Sequence, residues 1–216
     1  MIRHLIWDVD GTLIDTYSSI SRAMQETMEV FGYHADLAEV DVLCKVSFGH
    51  CVERMAEAYD LDAEVLNASF VERLARVPVT DQRPFPGAES VCQLAESLGG
   101  ANYILTHRDR ESLHALLAGN DLEHWFVDVV AGDDGYPRKP DPSGLNALLE
   151  RNRVPQAEAL MIGDRNLDVQ AAQGAGIRAC FYGNNPLTTP AAYVVSDYAE
   201  LLAIILSESD ATDASQ

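Results

Sequence analysis

The amino-acid order predicts an α/β protein built on a doubly wound parallel sheet, with a second, all-helical unit inserted near its start. Three observations carry this expectation. Short apolar, β-branched runs alternate with segments of helical period, and most of the runs are continuously apolar, as strands covered on both faces are. One long stretch, 15–82, has no strand pattern and repeats its apolar residues at helical spacing. The 216 residues, 47% of them apolar, suffice for a core and a modest second domain.

In chain order, the first strand is expected over 3–7 (RHLIW). The helical stretch follows, with one stripe in Met24, Met28 and Phe31, a second in Val52, Met55, Ala56 and Tyr59, and a looser third in Val65, Ala68, Phe70 and Leu74. Leu13–Thr16 and the proline-rich Pro78–Gly87 bound it, a composition suited to a stiff two-stranded hinge. Beyond the hinge come a helix over 88–98 and a strand over 102–105. A helix over 110–119, a strand over 127–131 and a helix over 143–151 succeed them. A strand over 159–162, a helix over 167–173 and strands over 179–182 and 193–195 complete the pattern. The end, SESDATDASQ, reads as solvated. The expected domains are therefore a core of 1–14 and 83–208, a helical unit of 15–82 and a disordered acidic tail of 209–216.

The formal charge of -19, from 34 acidic against 15 basic side chains, argues against nucleic-acid and anionic-membrane partners. Cys44, Cys51, Cys92 and Cys180 form no C-x-x-C pair, which points to reduced thiols and a cytoplasmic protein without zinc. No stretch reaches the ~18 apolar residues of a membrane span, and Asp8 falls where a signal peptide would need an apolar region.

The chemistry gathers at strand ends. The first strand runs into LIWDVDGT, where Asp8 and Asp10, two apart, are expected to project together at the carboxyl edge of the sheet, the edge at which open α/β sheets bind ligands. Two unit charges about 4 Å apart repel by about 4 kcal/mol at an effective dielectric of 20, so the pair must hold a cation, share a proton or diverge. Gly11 permits a sharp turn with backbone N–H groups close to an anion. In MIGDRNLD, Asp164 ends a strand and Asp168 lies one helical turn further on the same face, a repulsive arrangement unless a cation sits nearby. Asp8, Asp164 and Asp168 form a hard-oxygen set that selects magnesium over softer metals. Thr106, in ILTHRD, offers a hydroxyl and free N–H groups before a helix, and Lys139, in PRKPDP, stands in a rigid loop between prolines.

Taken together, DVDGT, Thr106, Lys139 and GDRNLD resemble the four motifs of the haloacid dehalogenase-like superfamily, in family order across residues 4–168. The insertion after the first motif looks like the helical cap of its phosphoglycolate phosphatase and β-phosphoglucomutase branch. The resemblance implies a Rossmann-like core, a Mg2+ cofactor and hydrolysis of a small phosphorylated metabolite. Asp8 would be the nucleophile that forms an aspartyl-phosphate. Asp10 would bind metal through its backbone carbonyl and act as acid and base through its side chain. Thr106, the N–H of His107, Gly11 and Lys139 would hold the phosphate, Asp164 would ligate the metal and Asp168 would support it. The second motif departs from the family, reading Thr-His-Arg where many members have Asn after Thr, which leaves His107 and Arg108 between an exposed loop pair and substrate contacts.

Within the cap, the break at KVSFGH nominates Lys45, Ser47, Gly49 and His50 for substrate specificity, Gly49 by letting backbone approach a ligand. Phosphoglycolate leads the substrate candidates by resemblance. A sugar phosphomutase is the nearest alternative, disfavoured by Thr12 where the family's mutases tend to have Val. A dehalogenase would lack Asp10. A phosphoaccepting signalling domain would lack the cap. The oligomeric state is open between monomer and homodimer.

Overall fold

The computed structural model describes residues 1–184 and 187–213. Its strands are β1 (His4–Trp7), β2 (Ile14–Asp15), β3 (Arg83–Pro84), β4 (Ala101–Leu105), β5 (Phe126–Val130), β6 (Ala159–Gly163), β7 (Arg178–Tyr182) and β8 (Tyr193–Val195). Its α-helices are α1 (Tyr17–Val30), α2 (Leu37–Val46), α3 (Phe48–Tyr59), α4 (Ala63–Leu74), α5 (Ala88–Ser97), α6 (Arg110–Gly119), α7 (Ser143–Arg151), α8 (Asn166–Gly174) and α9 (Tyr198–Asp213). The chain divides into two compact units, Met1–Ile14 with the chain from Pro84 onward, and Asp15–Arg83. The second boundary thus falls one residue after the expected 82/83. The two connecting segments, β2 and β3, pair with each other.

In the first unit six parallel strands run in the order β5-β4-β1-β6-β7-β8. Strand order reverses on either side of β1, which makes its carboxyl end the switch point of the sheet. Registry aligns Trp7 with Ile104 of β4 and Ile162 of β6, so the residues that follow these three emerge side by side. The continuous apolar runs are explained by burial on both faces: β6 is buried throughout, and Ile6, Tyr103, Leu105, Val130, Met161 and Phe181 share one cluster with Leu145 and Leu148 of α7 and Val169 of α8.

The end of the chain corrects an expectation. The helix α9 runs from Tyr198 to Asp213, through most of what composition marks as a disordered tail; residues 214–216 of that expectation lie outside the described residues. Tyr198, Leu201 and Ile205 are fully buried at helical spacing, and a helix anchored this way propagates into polar sequence at little cost per residue.

The second unit is four helices around Met24 and Met28 of α1, Val40 and Cys44 of α2, Cys51, Val52, Met55 and Ala56 of α3, and Leu66 and Phe70 of α4. The third expected stripe is shifted: Val65 is 55% exposed and Ala68 is exposed, while Leu66 joins Phe70 at i, i+4. Side-chain caps set the helix starts, Asp36 for α2, Ser47 for α3 and Asp62 for α4, each accepting backbone N–H groups of the first turn. All four cysteines of the chain are free and buried. No helix among the described residues is long and apolar enough to cross a membrane.

Candidate active site

Asp8 follows β1 directly, and its N–H continues the ladder to the carbonyl of Ile162 at 2.9 Å. Backbone bonds from Gly11 to Ile14 and from Ile14 and Thr12 back to Val9 then fold 9–14 into a tight loop. Gly11 sits at φ 76°, a left-handed conformation that side chains disfavour, so this turn needs its glycine. The Thr12 carbonyl accepts the phenol O–H of buried Tyr198 at 2.6 Å, and the Thr12 hydroxyl donates to Asp164 Oδ1 at 3.3 Å. A valine at position 12 has no group to make that second bond.

Asp8, Asp164 and Asp168 are all buried, and each offers an oxygen within 4.8 Å of the others. Lys139, itself buried, reaches in with Nζ 2.8 Å from Asp8 Oδ1 and 2.7 Å from Asp168 Oδ1, and donates to the Leu105 carbonyl at 3.0 Å. Arg165 places Nη2 3.2 Å from Asp8 Oδ2, and its backbone N–H donates to Asp168 Oδ2 at 3.0 Å. Asp168 can stand this close to β6 because residue 163 is glycine: a Cβ there would lie 2.3 Å from the Asp168 Cγ. Three carboxylates thus face two cations in a dry environment. Burial pushes the Asp8 carboxyl up, but Lys139 and Arg165 together outweigh it and hold it below the usual range. Burial also dominates at Asp168, and with the charge of Asp8 added it raises that carboxyl despite Lys139.

Asp10 diverges from Asp8. Its carboxylate is gripped by the Arg108 guanidinium, Nη2 to Oδ1 at 2.5 Å and Nε to Oδ2 at 3.3 Å, and it is no part of the oxygen cluster around Asp8. Divergence is thus the way the first strand end avoids its like-charge repulsion. Thr106 is buried, and its hydroxyl accepts the Arg108 N–H at 3.1 Å. The His107 ring is half-buried with Nε2 lacking a hydrogen-bond partner; desolvation first, then Lys139, Arg138 and Arg165, depress its pKa to about 3, so the ring is neutral.

The cap candidates lie in the second unit. Lys45 pairs with Asp41 at 2.7 Å, one turn back on α2. Ser47 forms the break between α2 and α3 and accepts the His50 N–H at 3.0 Å. Gly49 lies inside the first turn of α3 with ordinary φ and open space where a Cβ would stand. Sequence reasoning left Arg165 and Tyr198 unassigned. Arg165 had a signal, since it stands next to Asp164 in a cluster short of positive charge; Tyr198 had none, because its partner is a carbonyl 186 residues away.

The haloacid dehalogenase-like hydrolase family profile matches residues 5–182, a span that contains every core residue of this site except Tyr198. The chain belongs to the haloacid dehalogenase-like hydrolases. Among the relatives of this hydrolase, a phosphoglycolate phosphatase of Aliivibrio fischeri is 30% identical over 230 residues, covering 95% of this chain and 97% of that protein. One from Rhodospirillum rubrum is 28% identical, covering 93% and 90%. Solved structures with the same fold include a hydrolase from Streptococcus pneumoniae (TM-score 0.68, 26% identity, 94% and 98% covered) and CbbY from Rhodobacter sphaeroides in complex with phosphate (TM-score 0.73, 24% identity, 93% and 96% covered).

Proposed function

We propose that this hydrolase is a magnesium-dependent phosphatase of the cytoplasm that cleaves a small phosphate monoester through an aspartyl-phosphate on Asp8, phosphoglycolate being the leading substrate. The observation that carries the reading is the buried Asp8 carboxylate, kept ionised by Lys139 and Arg165 and sharing an oxygen cluster with Asp164 and Asp168. The curated relatives named phosphoglycolate phosphatase support the choice of substrate.

The residues fit a divalent cation. Three buried carboxylates supply hard oxygen donors, with Lys139 and Arg165 as the cationic side chains paired to them, so Asp8, Asp164 and Asp168 would hold the ion together with the Asp10 carbonyl. When bound, it neutralises charge on the phosphoryl oxygens. Asp8 attacks phosphorus through one oxygen while the bond to the ester oxygen breaks, and Asp10, which enters this step as the protonated acid, gives that leaving oxygen its proton. Asp10 then takes a proton from the water that attacks the aspartyl-phosphate, releasing inorganic phosphate and restoring Asp8. Thr106 and its neighbouring N–H groups, with Gly11, orient the phosphoryl oxygens, and Lys139 balances charge on them and on Asp8. Lys45, Ser47 and His50 of the cap contribute specificity.

Phosphate release from a panel of metabolite esters with magnesium tests the whole reading. Activity on at least one short-chain ester, lost by a factor of about 10³ or more in Asp8→Asn, is the expected result, given the size of nucleophile deletions in other hydrolases. An inert wild type, or an unaffected Asp8→Asn, rejects it.

A further inference from the structure

Arg108 has no part in the mechanism above, yet its position is closely determined. Its N–H donates to Thr106 Oγ1 at 3.1 Å, and its carbonyl accepts the Gly132 N–H at 2.8 Å, so the backbone is tied on both sides. Its side chain is only 16% exposed, and Nε and Nη2 are committed to the two oxygens of Asp10. That leaves Nη1, with two N–H donors, lacking a hydrogen-bond partner among the described residues. This edge is the open part of an otherwise covered side chain, and its planar fork matches an anionic acceptor through two oxygens at once.

Asp10 is also the carboxylate assigned to the leaving oxygen. Whatever substrate atoms flank that oxygen therefore come within one guanidinium's width of the spare donors of Arg108. We propose that Arg108 is a specificity residue that reads a carboxylate on the leaving side of the substrate, one or two carbons from the ester oxygen. The proposal rests on the phosphatase reading and deepens it, placing part of substrate choice in the core's second motif loop. A carboxylate suits the site better than a second phosphoryl group. Lys139 and Arg165 are already shared among Asp8, Asp164 and Asp168, so the spare edge of Arg108 matches the single charge of a carboxylate, whereas a phosphoryl group brings about twice that charge.

The test compares phosphoglycolate with its carboxamide, which lacks only the carboxylate charge, and with a bisphosphate of similar length, in wild type, Arg108→Gln and Arg108→Lys. Wild type is expected to prefer the acid over the amide by about 30-fold in kcat/KM, carried by KM, the size of a charge-assisted hydrogen bond. In Arg108→Gln kcat should fall alike on both substrates, because Asp10 loses its partner, while the preference shrinks to about 3-fold through an added rise in KM for the acid, with partial rescue in Arg108→Lys. Equal losses of kcat/KM on acid and amide would make Arg108 only a support for Asp10 and overturn the proposal. So would a wild type without preference, or a bisphosphate preferred over both. If wild type hydrolyses nothing, the phosphatase reading falls, and calorimetry still decides on Arg108. Asp8→Asn should then bind the acid about 10-fold tighter than the amide and lose that margin when Arg108→Gln is added; equal binding overturns the inference.

Discussion

At the scale of single residues, the site is assembled by close approach. Gly163 ends β6 where the Asp168 side chain passes, and Asp168 can step aside only by giving up Lys139 and the Arg165 N–H, which hold its two oxygens at 2.7 and 3.0 Å. Gly163→Ala, whose new methyl would overlap Asp168 by more than any real contact allows, should therefore move the carboxylate and spare the fold. Disturbing the groups that orient a metal's oxygens costs about 10–100-fold in metal affinity, and misplacing a reacting group by 1 Å can cost about 10²-fold in rate. The expected outcome is a drop of that order in kcat and in magnesium affinity, with an unchanged circular dichroism spectrum. Wild-type affinity in the variant would show that Asp168 is not held as tightly as its contacts indicate.

At the scale of elements, the strands and the acids were legible and the ties between distant segments were not. The ends of all six strands of the large sheet fall within one residue of their expected positions, because parallel strands covered on both faces leave an unbroken apolar run bounded by polar turns. Asp8, Asp164 and Asp168 were readable for a related reason: each directly follows such a run or stands one turn beyond it. The Asp10–Arg108 pair joins residues 98 apart, and no local pattern announces it. The helix α9 was misjudged because its acid-rich end outweighed the buried spacing of Tyr198, Leu201 and Ile205. That helix matters to the site, since Tyr198, stacked on Tyr182 with ring centroids 4.5 Å apart, fixes the Thr12 carbonyl of the first motif loop. Tyr198→Phe keeps the stacking and leaves a buried carbonyl unpaired, which should cost about 1–3 kcal/mol in urea unfolding. It should also lower kcat, and a variant as stable and as active as wild type would remove α9 from the account.

At the scale of the whole molecule, a chain carrying -19 concentrates part of its repulsion in a dry cluster of three carboxylates that two cations do not neutralise. A divalent ion added there offsets charge in the folded state and finds no equivalent cluster in the unfolded chain, so binding is linked to folding. At 100 times its dissociation constant, magnesium should stabilise the core by about 2.7 kcal/mol, seen as a rise in Tm that EDTA reverses. The dependence on pH has a definite sign. The Asp8 carboxyl is depressed in the fold, so its contribution is present above the unfolded carboxylate range and is lost as pH falls below that range, through the lower value it has in the fold. Magnesium also needs the Asp168 carboxylate, whose pKa burial and the Asp8 charge raise, so the Tm rise should be full near pH 7.5 and shrink toward pH 4 as Asp168 takes up a proton. Asp164→Asn should abolish the rise at every pH while raising the Tm of the metal-free protein or leaving it unchanged, because a repulsive charge has been removed. A metal-induced rise that persists in Asp164→Asn would place the ion elsewhere on this acidic surface.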